Sequence, residues 1–210
     1  MVQVLKDALR RRIVEAARLQ FSKNGFTKAT IGAIAGEAGV ADGTIYKYFS
    51  NKKVLFESIM TDEFVGEFLR LTHDRIAGFA QPGGMDAGRC LGGDHPGEFL
   101  RFIIRNPHEV IILLSRAEGT KYEPFVREYI RDMESQTLRQ AREQFPRMEV
   151  TPTFRFMVNH ILEDSVQGMV SILERFGDEA SIREAFAAMA RYHLAGIVAL
   201  IEWNAHSGRK

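Results

Sequence analysis

Apolar side chains recur every three or four residues along almost the whole chain, and nowhere do they alternate over a strand's length. Positions spaced this way lie on one face of an α-helix, whereas a half-buried strand needs a period of two. Leu9, Ile13, Ala16, Ala17 and Phe21 form the first stripe, which stops at the helix-ending pair Asn24-Gly25. Thr30 stands where a cap belongs, ahead of Ile31, Ile34, Ala35 and Ala38, and Gly39 breaks that short helix. Another short helix follows through Ile45, Tyr46 and Phe49, and Ser50-Asn51 opens a longer one carrying Val54, Leu55, Ile59 and onward. Further helical patterns run over Phe99 to Ile104, from Asn106-Pro107, and from Pro124 to Phe145-Pro146. Two long helices finish the chain, one from Phe154 to Phe176 and one through Ile182, Phe186, Met189, His193, Ile197 and Leu200. The expected fold class is all-α. Gln81-Pro82-Gly83-Gly84 through Gly92-Gly93-Asp94 is read as a loop, because glycine there is too dense for a helix.

Several classes of protein are excluded on this basis. At 45% apolar and 26% charged residues, the chain can bury a core and is not a disordered segment. The single cysteine, Cys90, cannot form an internal disulfide, and its glycine-rich setting reads as a spectator thiol. No stretch approaches the roughly 20 uninterrupted apolar residues of a membrane span, and the amino terminus has no basic region followed by an apolar run. A cytoplasmic protein without a membrane partner is expected.

The net charge of +1 conceals an asymmetry. Residues 1–56 hold ten Lys/Arg against four acids, a net +6, and the remaining 154 residues carry −5. A basic head on an acidic body points to a polyanionic partner.

Residues 30–53 suggest how such a partner is met. Two short helices joined by a tight glycine-containing turn are a helix-turn-helix. Ala38-Gly39-Val40 supplies the turn, Gly39 permitting a positive φ and Val40 filling the gap between crossed helices. The second helix, Thr44 to Tyr48, offers Thr44, Tyr46, Lys47 and Tyr48 outward, hydroxyls and an ammonium suited to phosphate oxygens and base edges. Ile45 and Phe49, four apart, belong on its inner face.

Four linked blocks now stand in order: Phe21-x-x-x-Gly25-Phe26-x-x-x-Thr30, Ile34-Ala35-x-x-Ala38-Gly39-Val40, Gly43-Thr44-Ile45-Tyr46-x-Tyr48-Phe49 and Lys52-x-x-Leu55. Together they resemble the signature of the tetracycline-repressor (TetR/AcrR) family over about residues 6–60. The resemblance implies an all-helical homodimer with a helix-turn-helix DNA-binding domain (residues 1–56) and a larger ligand-binding and dimerisation domain (residues 57–210). It also implies DNA contacts from Thr30, Asp42, Gly43, Thr44, Tyr46, Lys47, Tyr48 and Lys52, with Thr30 and Lys52 holding phosphates. Lys28, Lys53 and Arg10 to Arg12 would add unspecific attraction.

Three departures from the family's pattern matter. Its common Ser at position 41 is Ala41 here, which cannot cap the recognition helix, so a cap shifted to Asp42 is expected. The charge of Asp42 faces a region that should meet phosphates or bases, where it would accept from a cytosine amino group or repel. Gly32 and Ala33 have no side chain able to reach a base.

The body shows no catalytic motif. His160, Glu163 and Asp164 share a helix, but the paired Glu-x-x-His of a di-metal bundle is missing, as are phosphate loops and nucleophile elbows. No enzyme, cofactor or metal is expected. Between residues 99 and 133, apolar side chains interleave with Arg101, Arg105, His108, Arg116, Tyr122 and Tyr129. A largely apolar pocket lined by Phe102, Leu113, Phe125, Tyr129, Met133 and Met157 is expected to take a small-molecule inducer of unknown identity. In the last helix, Ala185, Ala188, Tyr192, Ala195 and Ala199 form a small-residue stripe beside the bulky one. A helix apolar on two sides has two partners, and the resemblance makes the second a homodimer formed through the last two helices. The expected function is ligand-responsive repression from a pseudo-palindromic double-stranded operator. Two alternatives remain, a DNA-binding protein without an effector and a helical small-molecule binder with an impaired head.

Overall fold

The computed structural model describes residues 2–79 and 94–207. The expected loop around Cys90 therefore lies outside the described residues. Those residues form ten α-helices and no strand: α1 (Val2–Lys28), α2 (Ile31–Ala38), α3 (Asp42–Ile45), α4 (Lys52–Glu57), α5 (Asp62–Phe79), α6 (Asp94–Arg105), α7 (Pro107–Ser115), α8 (Phe125–Gln144), α9 (Pro152–Arg175) and α10 (Glu179–Ser207). The fold is all-α, with an amino-terminal helix-turn-helix and a larger helical remainder. Two compact units divide it: Met1–Gly66 with Asn106–Phe125, and Glu67–Arg105 with Val126–Lys210. The expected head, residues 1–56, lies inside the first.

In the first unit, α1 buries Ile13, Ala17 and Phe21, the face its period predicts. Gly25, at φ 75 and ψ 163, interrupts the helix where Asn24-Gly25 was expected to end it. Its break sends Phe26 back against Phe21 and Phe56, with ring centroids 5.1 to 6.0 Å apart. Apolar area and ring geometry both favour such a cluster. The helix α7 starts with Pro107 in its first turn and is tied to α1 by polar contacts. Arg18 Nε lies 2.6 Å from the buried carboxylate of Glu109, and Ser22 Oγ is 3.0 Å from His108 Nδ1. The Phe26 N–H donates to the Arg116 carbonyl, and the Thr27 hydroxyl to that of Glu118.

One expected boundary fails. The long helix predicted to open at Ser50-Asn51 is two helices, α4 and α5, parted at residues 58–61. Ser58 turns its hydroxyl onto the Leu55 carbonyl, and Thr61 Oγ1 caps α5 by accepting from the Phe64 N–H. The Tyr122 hydroxyl reaches into this break, donating to the Met60 carbonyl at 3.2 Å and lying 2.7 Å from Asp62. Capping side chains and a tertiary hydrogen bond outweigh the helical period here.

The second unit centres on Phe68 of α5, whose ring meets Phe99 of α6 at 5.7 Å and Tyr129 of α8 at 5.3 Å. Across α5 and α8, His73 pairs with Asp132, and Gln136 and Gln140 donate to the carbonyls of His73 and Ile76. Thr151 caps α9, with Pro152 in the first turn. Helices α9 and α10 cross closely at Gly168, where an added Cβ would sit 2.6 Å from Met189 Sδ.

Candidate nucleic-acid interface and ligand cavity

Thr30 starts the motif with extended backbone, and its Oγ1 accepts from the Ala33 N–H at 3.1 Å. Gly39 ends α2 in the left-handed region at φ 63, with its N–H and that of Val40 returned to the carbonyls of Gly36 and Ala35. A residue with a Cβ loses about 1–2 kcal/mol in that region, which explains the glycine. The chain then enters α3 through Ala41, which is the N-cap and makes no side-chain cap bond. The shifted cap expected at Asp42 does not occur, because Asp42 is already the first helical residue. Its carboxylate lies over the opening of α2, where a Cβ on Gly32 would be 3.5 Å away. The partial positive charge at that helix end favours an anion.

Only Asp42–Ile45 is helical, and residues 46–48 continue as a turn, so the helix expected over Thr44 to Tyr48 is shorter and earlier. The sidedness is as expected. Ile45 and Phe49 are buried, with the Arg10 guanidinium 5.1 Å from the Phe49 ring centroid. Asp42, Gly43, Tyr46 and Lys47 are exposed, Tyr46 by 54%, and Thr44 and Tyr48 are half-buried. Gly43 has no atom within 4 Å of where a Cβ would stand, so a partner could approach its backbone directly. An exposed phenol and ammonium beside an open backbone are chemically suited to a nucleic-acid groove. Arg10, Arg11, Arg12, Lys23, Lys28 and Lys53 are also exposed.

Lys52 departs from the role the resemblance implies for it. Its ammonium donates to the carbonyls of Phe26, Thr27 and Ala29 at 2.7, 3.3 and 2.9 Å and lies 4.6 Å from the Phe26 ring centroid. Three donors meet three acceptors, which leaves no N–H for a phosphate. The sequence could not reveal this, because the three acceptors lie 23 to 26 positions away along the chain.

Residues 13–59 match the family model described as bacterial regulatory proteins, tetR family. The amino-terminal domain belongs to that family. Over 65 residues the chain is 37% identical to the fatty acid metabolism regulator protein of Bacillus subtilis, covering 31% of this chain and 33% of that protein. It is 38% identical over 68 residues to the HTH-type transcriptional regulator TtgR of Pseudomonas putida, covering 32% and 30%. The chain thus spans about a third of the length of the curated relatives it matches. A crystal structure of the transcriptional regulator FadR from Bacillus subtilis in complex with stearoyl-CoA aligns over 90% of this chain and 97% of its own at 17% identity, with a TM-score of 0.48.

The second unit contains a cavity of about 110 Å3 between α5, α8, α9 and α10. Tyr129 and Met133 are among the residues that line it. The other four residues expected to line a pocket are elsewhere. Leu113 and Phe125 are core residues of the first unit, and Phe102 packs its ring 6.4 Å from Phe68. Met157, on the outer face of α9, borders a separate groove with Phe154 and Trp203. Period and composition mark a face as apolar but do not say which faces converge. The sequence reading missed Thr72, Arg75, Gln140, Ser165 and His193, polar groups at the cavity wall. Their one available signal was polarity inside an apolar stripe, as at Thr72 beside Leu71 and Ile76.

Within the wall, the Thr72 hydroxyl donates to the Phe68 carbonyl, so its 3.1 Å contact with Tyr129 has the phenol as donor. Burial pushes the Tyr129 phenol up to about 12, so it remains a neutral donor. His193 is held below the ordinary imidazole value, first by burial. The charge of Asp164 opposes that shift and the charge of Arg75 adds to it. The Arg75 guanidinium carbon lies 5.1 Å from the Phe99 ring centroid.

Proposed function

We propose that this chain is a homodimeric transcriptional repressor that binds a pseudo-palindromic DNA operator and is released from it by a small molecule. The observation that carries the reading is the two-sided α3 segment, with Ile45 and Phe49 buried and Tyr46 and Lys47 exposed, inside a TetR-family domain. Thr44, Tyr46, Lys47 and Tyr48 read base edges, Asp42 and Gly43 border them, and Thr30 faces phosphate at the start of α2. The exposed lysines and arginines of the same unit supply the salt-dependent attraction. Relatives that are HTH-type transcriptional regulators support the same reading.

The second copy attaches through α9 and α10. By length and composition Glu179–His206 is apolar enough to cross a membrane, yet only 11% of its most apolar stretch is buried. Its bulky stripe faces inward, while Ala188, Tyr192, Ala195 and Ala199 are exposed, Tyr192 by 73%. A small-residue stripe lets an identical helix approach closely and meet itself about a two-fold axis. Two recognition segments so related enter successive major grooves. The ligand occupies the cavity, one wall of which is α8, the covalent continuation of segment Asn106–Phe125.

The test is a titration of the chain's own upstream DNA at two salt concentrations with competitor duplex. Specific binding that resists competitor and weakens with salt is expected. Tyr46→Ala and Lys47→Ala should each abolish that specificity while dimer and melting temperature persist. An unaltered footprint would overturn the assignment of α3.

A further inference from the structure

We infer that the ligand of the α5–α8–α9–α10 cavity is a small neutral molecule, an apolar frame bearing one hydroxyl, with that hydroxyl at His193 and the hydrocarbon against Ile161, Leu162, Ile197 and Val198. The inference deepens the proposed ligand-responsive reading and rests on it. Charge is the first support. Among the described residues of the wall there is no carboxylate, and its one guanidinium, that of Arg75, is already engaged within the fold beside Phe99. The other polar side chains of the wall are hydroxyls, carboxamides and the imidazole of His193, which burial keeps neutral. An ion placed among them gives up its hydration for uncharged partners, which favours an uncharged ligand.

Hydrogen bonding and size narrow the class further. His193 Nδ1 is enclosed, and the Met189 carbonyl one turn back, the weakest of the groups acting on the ring, completes no hydrogen bond to it. Nε2 is then the nitrogen left for a ligand. A neutral imidazole has one nitrogen that donates and one that accepts, and a hydroxyl does both, so it suits Nε2 in either tautomer. The Tyr129 phenol and the Thr72 hydroxyl satisfy each other and the Phe68 carbonyl, so they ask nothing of the ligand. The apolar residues of α9 and α10 supply the rest of the contact. At roughly 10–15 Å3 per water-sized group, a cavity of about 110 Å3 holds on the order of ten non-hydrogen atoms. That suits a medium-chain alcohol or a simple phenol, and not a nucleotide conjugate.

Calorimetric titration of the full chain at neutral pH with 1-octanol, heptyl methyl ether, octanoate and octylamine tests this. The four are close in size and differ in the charge and hydrogen bonding of the head. The alcohol should bind about three- to tenfold tighter than the ether, the margin of a neutral hydrogen bond. Octanoate and octylamine should bind at least about tenfold more weakly than the alcohol, because each brings a charge to uncharged partners. His193→Leu should erase the preference for alcohol over ether while the ether still binds, and His193→Gln, which keeps a donor and an acceptor, should retain part of it. The inference is overturned if either ion or the ether matches 1-octanol, if the preference survives in His193→Leu, or if no alcohol from 1-butanol to 1-decanol nor phenol binds. Operator binding measured on the same samples separates the two readings. An alcohol that binds without changing DNA affinity upholds the ligand class and overturns release. Intact duplex binding with no alcohol bound overturns the ligand class alone.

Discussion

The ammonium of Lys52 sits at the junction of α4 with the segment leaving α1, where it holds the carbonyls of Phe26, Thr27 and Ala29. Removing it strands carbonyls of which two are part-buried, so Lys52→Ala should destabilise the first unit by about 1–3 kcal/mol. Operator affinity should fall through the fold alone, and the slope of log affinity against log salt should equal that of the unaltered chain. Lys47→Ala, by contrast, should lower that slope by at most about one charge. Salt titrations of the two variants side by side distinguish a clamp within the fold from a charged contact to DNA.

His193 carries the second residue-scale prediction. Burial lowers its native value below 6.5, so between that native value and about pH 6.5 the unfolded chain binds a proton that the native chain does not. Stability is therefore full above this window and declines as pH falls through it. Melting curves from pH 7.5 downward should show the loss, and His193→Gln should flatten it. An unchanged pH dependence in that variant would assign the loss to another group.

Two glycines show how elements depend on different physics. Gly39 has open space around it but a positive φ of 63. Gly39→Ala should thus cost about 1 kcal/mol from backbone conformation alone, and Gly39→Asn less, since asparagine tolerates that region better. Gly168 has ordinary helical backbone but stands where α9 meets α10, with Met189 Sδ 2.6 Å from a Cβ. Gly168→Ala should cost about 1–3 kcal/mol by overpacking, and Met189→Ala in the same chain should recover much of it. Denaturant unfolding of the four variants measures both effects. The glycine at 39 was legible in the sequence because turn chemistry is local. The one at 168 was not, because its neighbour arrives from twenty-one positions away.

At the scale of the whole molecule, the proposed repressor requires a second copy over the outer stripe of α10. Ala195→Arg with Tyr192→Arg should yield a monomer by sedimentation, with the helical fold retained and operator affinity collapsed. A dimer that survives both changes would place the interface elsewhere. In the dimer, ligand and DNA should oppose each other by ~1–3 kcal/mol, a change of roughly 5–150-fold that is equal in both directions.

The all-helical class, the helix-turn-helix over residues 30–49, its buried Ile45 and Phe49 and the turn glycine at 39 are written in spacing and residue type. Each depends on interactions among residues a few positions apart, where period, capping and φ preference act. The break between α4 and α5, the clamp at Lys52 and the membership of the cavity are not written there. They arise where Tyr122 reaches Met60, where the carbonyls of Phe26, Thr27 and Ala29 meet position 52, and where four helices converge on His193. The cores and the polar satisfaction of those places are set by partners distant in sequence, and single-chain periodicity carries no information about which distant faces will meet.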